Sequence, residues 1–360
     1  MTKLVQISNS LFEDLRSLIF EARQDVARQV NSVLVLLYWR VGKRIRQDIL
    51  KEGRADYGEK IVPTLSAQLV SEFGSSFSTR NLWHMLRFAE VFPEEKIVNA
   101  LSTQLGWTHF RFIIALDDPL KRDFYAEMCR IERWSTRTLE KKISSMLFER
   151  TALSKKPDEL IRHELDKLRA EDKLTPDIVF RDPYFLDFLG LKDRYLEKDV
   201  EDAIMREMEN FILELGVGFT FVARQKRIQV DNDDYYLDLL FYHRGLRRLV
   251  AIDLKLGNFR PADKGQMELY LRWLAKYEQK PGEEPPIGLI LCAGKKKETV
   301  ELLELEKSGI RVASYWTEIL PRELLQKKLH EAVQHARARL AQREWLSGKK
   351  LLPPEGTGSA

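Results

Sequence analysis

The chain has 360 residues, of which 44% are hydrophobic and 32% charged, with a formal net charge of +4. These values are typical of an ordinary globular protein and exclude a disordered chain. No apolar run approaches the roughly 20 residues of a membrane-spanning helix, and the first residues lack a signal-peptide core, so we expect a cytoplasmic protein without a membrane partner. The two cysteines, Cys129 and Cys292, have the spacing of neither a zinc site nor a disulfide framework. The mildly basic charge permits a polyanionic partner without requiring one.

Residues 8–150 have helical periodicity throughout and predict an all-α N-terminal domain. A first amphipathic helix is indicated by apolar residues at three- and four-residue spacing, namely Leu11, Leu15, Leu18, Ile19 and Ala22. A helix-turn-helix-like unit follows, in which one helix ends at Gly74 and the next begins at Ser78 or Thr79. The second helix of this unit places one apolar face inward, formed by Leu82, Met85, Leu86 and Ala89.

The opposite face of that second helix is polar. It carries Arg80, Asn81, His84 and Arg87, and the two arginines are candidates for contacting a nucleic-acid substrate. A plain solvated surface explains the same pattern, because similar helix pairs arise in any helical bundle. The N-terminal domain is therefore expected to bind either DNA or a protein partner.

The C-terminal half changes to an α/β pattern, so we predict an α+β protein of two domains. Residues 151–180 are charged and bounded by prolines, which indicates a linker with one solvated helix. In 181–320, helices are expected to pack on a mixed sheet. The predicted elements are a helix over 199–216, strands over 219–230, 235–243 and 246–256, a helix over 264–279, a strand over 287–292, a helix over 297–308 and a strand over 310–316.

The last 40 residues predict two further segments. Residues 321–346 form a basic amphipathic helix that suits dimer formation, packing on its own domain or polyanion binding, and residues 347–360 are expected to be disordered.

Two aspartates interrupt the apolar strands of "YYLDLLFYHRGLRRLVAIDLKLG", residues 235–257. If Gly245 and Leu246 form a two-residue type II′ turn, paired residues have numbers that sum to 491, and Asp238 lies opposite Asp253. Facing, buried carboxylates are unfavourable unless a cation separates them. Side chains alternate along a strand, so Lys255 shares a face with Asp253. The alternative is an edge strand with outward-facing carboxylates. His243, beside the turn, is expected on the surface.

Two carboxylates and an ammonium group suit phosphodiester hydrolysis. Mg²⁺, for which Mn²⁺ is expected to substitute, is typically held by one or two carboxylates and substrate phosphate oxygens. The ion can lower the pKa of a bound water and neutralise charge on phosphate. Lys255 could hold or deprotonate the attacking water, or stabilise the charge of the transition state.

Flanking elements supply further candidates. Glu201 lies on the apolar face of its helix and is a possible third metal carboxylate, although a favourable helix-start charge explains it equally well. Gln266 and Tyr270 are one helical turn apart, with Gln266 facing the site. Arg224 and Gln225 are weaker candidates for contacting substrate phosphate.

The same residues resemble the PD-(D/E)xK nuclease superfamily, and most closely its YhcG-like bacterial family. The similarity covers residues 10–325 approximately and includes "LELGVGFTFVARQKRIQV", "YYLDLLFYHRGLRRLVAIDLKLGNFRPADKGQMELYLRWL" and "PPIGLILC". It implies a restriction-endonuclease-like fold in which Asp238 is the first motif acid and Asp253 and Lys255 are the D/E-x-K. It also implies that Gln266 with Tyr270 is the helical QxxxY element, and that Glu201 is the helix-borne acid. Leu237 replaces the motif proline.

The leading hypothesis is a Mg²⁺-dependent endodeoxyribonuclease that processes or restricts foreign or mobile DNA. Two alternatives stay open: a DNA-binding or assembly module that does not cleave, and a nuclease that acts on RNA. A homodimer would let two sites cut two strands, and protein partners are expected through the N-terminal domain or the C-terminal helix.

Overall fold

The computed structural model describes residues 9–52, 55–151, 158–191, 196–317 and 327. The chain divides into two compact units between Ser144 and Ser145. The predicted basic helix over 321–346, apart from Lys327, and the predicted disordered tail over 347–360 lie outside the described residues.

The described residues of the first unit are helical, with one 3₁₀ turn at Ser75–Phe77. Its helices are α1 (Asn9–Glu52), α2 (Ala55–Phe73), α3 (Thr79–Val91), α4 (Glu95–Ser102), α5 (Trp107–Ile113), α6 (Pro119–Glu132) and α7 (Thr136–Ser144). Within the described parts of the chain, no helix is both long and apolar enough to cross a membrane.

The predicted helix-turn-helix-like unit is formed by α2 and α3. α2 ends at Phe73 because Gly74 takes a φ of 88°, a left-handed conformation that favours glycine. α3 begins at Thr79, with Ser78 as its N-cap residue. Leu82 and Met85 of α3 are fully buried, as their spacing predicts. α3 packs on α1 so closely that a Cβ on Gly42 of α1 would lie 1.9 Å from the Met85 carbonyl oxygen.

The second unit contains a six-stranded mixed sheet. Its elements are α8 (Leu147–Arg150), α9 (Asp158–Glu171), α10 (Pro176–Val179), β1 (Tyr184–Phe185), α11 (Glu197–Arg206), α12 (Met208–Leu215), β2 (Phe219–Val230), β3 (Asp233–His243), β4 (Arg248–Asn258), α13 (Pro261–Tyr277), β5 (Ile287–Gly294), α14 (Lys297–Leu302) and β6 (Ile310–Trp316). The strand order is β1-β6-β5-β4-β3-β2. β2, β3 and β4 pair antiparallel, whereas β4, β5, β6 and β1 pair parallel.

Helices cover both faces of this sheet. On one face, Ile204 of α11 and Phe211 of α12 share an apolar cluster with Ile252 of β4, which we call the first layer. On the other face, Met267 of α13 shares a cluster with Ala251 of β4, which we call the second layer. Parallel strands need such cover, because their backbone connections cross the faces of the sheet. The α+β architecture with a mixed sheet is therefore confirmed.

Three predicted helices differ in the structure. The helix predicted over 199–216 is two helices, since the backbone leaves helical geometry at Glu207 (φ −105°, ψ 32°). The helix predicted over 297–308 ends at Leu302, and Glu304 turns left-handed (φ 46°) before a 3₁₀ turn. The charged segment over 151–180 contains α9, whose Ile161 and Leu165 are buried and not solvated. Apolar spacing continues across the first two breaks, so periodicity does not reveal them.

Candidate active site

The β3–β4 hairpin has the predicted register but not the predicted turn. Described pairs run from Leu239–Ile252 to His243–Arg248, with numbers that sum to 491. The ladder closes at His243–Arg248, and the left-handed residue is Arg247 (φ 50°), so the two-residue type II′ turn at Gly245 is wrong. The loop is held by His243, whose Nδ1 accepts the Leu246 N–H at 3.0 Å.

Asp238 lies one residue beyond the last described β3–β4 pair. Its Oδ2 accepts the backbone N–H of Leu254 at 2.7 Å. The carboxylate thus takes a position that a β3 carbonyl would occupy in a continued ladder. Asp238 and Asp253 are consequently located where the two strands separate.

The strand pair β2–β3 is irregular at the same level. Leu237 packs in the second layer and Leu239 in the first, although residues two apart share a face in a regular strand. Their β2 partners are Lys226 and Arg224, and Gln225 between them has a φ of 47°. Both strands therefore change face at the Gln225–Asp238 level, which directs Asp238 toward the β4 backbone.

Gln225 connects α11 to this irregular segment. Its Nε2 donates to Glu201 Oε2 at 2.7 Å and to Asp238 Oδ1 at 3.1 Å. Arg224 donates to Glu201 and to Asp202. The two residues predicted to contact phosphate thus bind carboxylates of the site, and the buried Glu201 is held by both.

Asp253 and Lys255 form an ion pair on the face of β4 that also carries Ala251. Asp253 Oδ2 is 2.8 Å from Lys255 Nζ. The Lys255 ammonium is thus the charged partner of this buried oxygen. Burial raises the pKa of Asp253 to about 7, against the attraction of Lys255, and the nearby Asp238 raises it further.

The other two charged groups also have shifted pKa values. Burial raises the pKa of Asp238, while the Leu254 N–H and Lys255 act in the opposite direction. Burial disfavours the Lys255 ammonium, but the attractions of Asp253, Asp238 and Glu197 together outweigh it and the pKa of Lys255 is raised. Lys255 is therefore protonated at neutral pH.

α13 contributes the predicted glutamine and tyrosine. Gln266 Nε2 donates to Tyr270 Oη at 2.6 Å, and Tyr270 Oη donates to the Tyr236 carbonyl at 3.1 Å. Tyr270 is buried in the second layer, so its hydroxyl connects Gln266 to β3. Burial raises the pKa of Tyr270, and the Asp253 charge adds to this effect.

Two residues differ from the sequence interpretation. Glu197, which the sequence reasoning missed, accepts the Leu256 N–H at 3.1 Å, and its charge raises the pKa of Lys255. Its position four residues before Glu201 is the signal that could have identified it, because such residues share a helix face. His243, expected on the surface, is fully buried. Burial lowers the pKa of His243 to about 4.

The N-terminal candidates belong to the other unit. Arg80 is exposed on α3, whereas Arg87 pairs with Glu90 at 3.0 Å. Asn81 of the same polar face is structural, since it donates to the Ser76 carbonyl and accepts from the Trp107 indole.

The carboxylates of the second unit do not form a compact metal cage. Over the described residues, no three His, Cys, Asp or Glu side chains converge as a metal-binding group. Glu201 is occupied by Arg224 and Gln225, which leaves Asp238 and Asp253 as a two-carboxylate set. A set of this size is typical of Mg²⁺ sites, which complete their coordination with waters and substrate oxygens.

Comparison with known proteins identifies the family of this chain. Residues 177–330 match the model of the YhcG PDDEXK nuclease domain, and residues 14–150 match that of the DUF1016 N-terminal domain. The chain is 34% identical to "Putative nuclease YhcG" of Escherichia coli (strain K12), over 77% of this chain and 81% of that protein. The chain belongs to the YhcG family. Its second unit contains a PD-(D/E)xK nuclease domain.

Two solved structures show weaker similarity. A repair endonuclease from Pyrococcus abyssi is 20% identical with a TM-score of 0.24, over 36% of this chain and 50% of that chain. An EndoMS complex with dsDNA is 17% identical with a TM-score of 0.27, over 36% of this chain and 49% of that chain. This chain thus matches about half the length of each, and TM-scores this low support no conclusion about it.

Proposed function

We propose that Asp238, Asp253 and Lys255 form the catalytic centre of a divalent-metal-dependent endonuclease that hydrolyses DNA phosphodiester bonds. The observation that carries the proposal is the buried Asp253, whose Oδ2 lies 2.8 Å from the Lys255 ammonium and whose pKa is raised to about 7 by burial and by the nearby Asp238. Burying carboxylates is costly, and the Lys255 charge balances one of the two, so a further cation would relieve the remaining negative charge.

The donor set fits a hard divalent cation. Asp238 and Asp253 offer only oxygen atoms, and the pKa values of both are raised, so each carboxylate gains from a nearby positive charge. These two residues would hold Mg²⁺, with Mn²⁺ as a substitute. When bound, the ion would activate water and neutralise charge on the phosphate.

Lys255 acts as a charged donor. Its raised pKa keeps the ammonium protonated at neutral pH, so it orients the attacking water or a phosphate oxygen by hydrogen bonding and does not remove the proton. The Asp253 contact at 2.8 Å holds this ammonium at the site. Lys255 thereby supplies positive charge where the pentacoordinate phosphate becomes more negative.

The surrounding residues position these three. Gln225 anchors Asp238 to Glu201, and Arg224 neutralises Glu201, so we assign Glu201 a supporting role that becomes direct only if Arg224 releases it. Gln266 is oriented by Tyr270 and can turn its amide oxygen toward the substrate.

DNA is the substrate that we propose, with Arg80 and Arg87 as contacts to its phosphates from the first unit. Both are on α3, whose position after α2 and a short turn is that of a helix-turn-helix-like unit. Processing or restriction of foreign or mobile DNA is the biological role we propose for this activity.

The test is a cleavage assay on purified protein with labelled duplex, single-stranded and branched DNA, with RNA in parallel. We expect Mg²⁺ or Mn²⁺ to support DNA cleavage and EDTA to abolish it. Asp253→Asn and Lys255→Met should each reduce the rate by at least about 100-fold.

Matched controls carry the same charge changes elsewhere in this unit. Asp231→Asn lies in the β2–β3 turn, where the left-handed backbone (φ 53°) suits asparagine, and Lys276→Met lies on exposed α13 surface. Both should cleave like the parent. Undiminished cleavage by Asp253→Asn or Lys255→Met would remove the site from the mechanism, and preferential cleavage of RNA would replace DNA as the substrate.

A further inference from the structure

The N-terminal part of α1 is a helix without neighbours in the described structure. Every residue from 12 to 30 is exposed. At 1.5 Å per residue this segment is about 28 Å long. Helices in proteins owe most of their stability to the packing of an amphipathic face, and this segment has no such contact among the described residues. The segment therefore needs a partner.

An apolar stripe continues along this segment and beyond it. Its members recur every three or four residues and share one side of the helix, which we call the α1 stripe: Leu15, Leu18, Ile19, Ala22, Val26, Val30, Val33 and Leu37. Val26 is 61% exposed and Val33 67% exposed. The positions repeat every eleven residues, as in 15, 26 and 37. This repeat corresponds to about 3.67 residues per turn, close to the 3.6 of an α-helix, and it is typical of long helix pairs with a right-handed supercoil.

The α1 stripe is not the face that packs on the helices of its own unit. Val35, Tyr38 and Trp39 are buried, while Val33 and Leu37 at the same level are exposed. With about 100° between successive residues, Val35 lies on the side of α1 opposite Val33. α1 thus has two apolar faces, and its own unit covers only one of them.

Charged residues flank the α1 stripe asymmetrically. With about 100° per residue, one edge of the stripe carries Arg16 and Arg23. The other edge carries Asp14, Glu21 and Asp25. Asp25 also pairs with Arg28 at 2.6 Å on the outer side of the helix. The stripe is therefore bounded by a basic edge and an acidic edge.

This asymmetry selects a partner and an orientation. When two copies of one helix pair in parallel about a two-fold axis along the helices, the basic edge of each copy meets the acidic edge of the other. In an antiparallel pair, each edge meets its own kind and like charges face each other. The stripe itself supplies the non-polar seam that such pairs require.

We propose that α1 forms a parallel two-fold helix pair with α1 of a second copy of this chain through the α1 stripe. Eight apolar positions per helix, over about 35 Å, form an interface of the size class of stable complexes. Each dimer would then carry two nuclease domains. The use of two active sites rests on the proposed function, whereas the pairing of the helices does not depend on it.

Light scattering after size-exclusion chromatography tests the pairing on the full chain. We expect twice the 42.2 kDa of one chain for the parent. Val26→Glu should halve the mass, because two carboxylates would meet between the paired helices. The circular dichroism of this variant should match that of the parent, because Val26 is exposed in the single chain. Gln24→Glu, on the opposite side of α1, should keep the mass of the parent.

Mixing two variants tests the orientation. In a parallel pair, residue 26 of one chain contacts residue 26 of the other. The Val26→Glu and Val26→Lys chains should therefore each be monomeric alone and form a dimer when mixed. Failure of the mixture to pair overturns the parallel arrangement. A monomeric parent overturns the proposal; this would result if residues 321–346 or another protein cover the α1 stripe. A Val26→Glu chain that remains dimeric overturns it as well.

Discussion

Asp238 accepts the backbone N–H of Leu254 at 2.7 Å, through a carboxylate oxygen that replaces a strand carbonyl. This contact keeps β3 and β4 joined at the level where their regular pairing stops. It also orients the second carboxylate oxygen toward Gln225. The separation of the strands and the position of the site therefore have the same cause.

Stability and proposed function conflict at Asp253. Its pKa rises from 3.8 to about 7 on folding, so the folded protein holds an extra proton between these values, and the free energy of unfolding falls as the pH rises through this range. Asp253→Asn should therefore raise the free energy of unfolding at pH 7.5 by up to about 4 kcal/mol. Urea unfolding without metal measures this; a variant less stable than the parent would contradict the burial cost.

Metal removal should destabilise the parent and leave the Asp253→Asn variant unchanged. A ligand that binds only the folded state at about 100 times its dissociation constant stabilises by about 2.7 kcal/mol. We expect Mg²⁺ to raise the thermal midpoint of the parent and EDTA to reverse this, with no response in Asp253→Asn. Equal responses of both proteins would place the ion elsewhere.

His243 should make the protein sensitive to mild acid. Its pKa falls from 6.5 to about 4 on folding, so the unfolded chain binds the extra proton and stability decreases as the pH falls through this range. The loss should approach about 3 kcal/mol at pH 4. His243 and Asp253 act in opposite directions over similar pH values, so the measurement is the difference between parent and His243→Gln. Parallel pH profiles for the two would refute a neutral, buried imidazole.

Two glycine substitutions should have opposite signs. Glycine to alanine inside a helix normally stabilises by about 0.5–1 kcal/mol. A Cβ added at Gly265 of α13 would have no other atom within 4 Å, so Gly265→Ala should show this gain. Gly42→Ala would place a Cβ 1.9 Å from the Met85 carbonyl oxygen and should destabilise by about 1–3 kcal/mol. Thermal unfolding of both variants measures the contrast, and a gain at Gly42 would mean that α1 and α3 are further apart.

The buried pair Arg150–Glu214 should contribute more than a surface pair. Arg150 is fully buried, binds Glu214, and stacks 3.9 Å from the Phe185 ring centroid. Removing one partner leaves a buried charge, so Glu214→Gln should cost about 3–5 kcal/mol in urea unfolding. Glu90→Gln, which breaks the exposed pair with Arg87, should cost less than about 1 kcal/mol. Similar costs would show that the Arg150 charge is compensated without the Glu214 carboxylate.

The local pattern of the chain was enough to predict most strands and the pairing of β3 with β4. The last strand begins at Ile310 and ends at Trp316 as predicted, and β3 pairs with β4 in the predicted register. Alternation of apolar residues is a property of neighbouring positions, so it can be read without knowing the fold. Asp253 and Lys255 share a strand, and their proximity follows from the same rule.

The tertiary structure alone decided which groups meet across elements. Arg224 and Gln225 were predicted to contact phosphate, which stays a prediction, and the structure shows that both bind Glu201 of α11. His243 was expected on the surface, and the hairpin loop encloses it. Such contacts join residues far apart in the chain, and burial then sets their pKa values, so nothing in the local pattern specifies them.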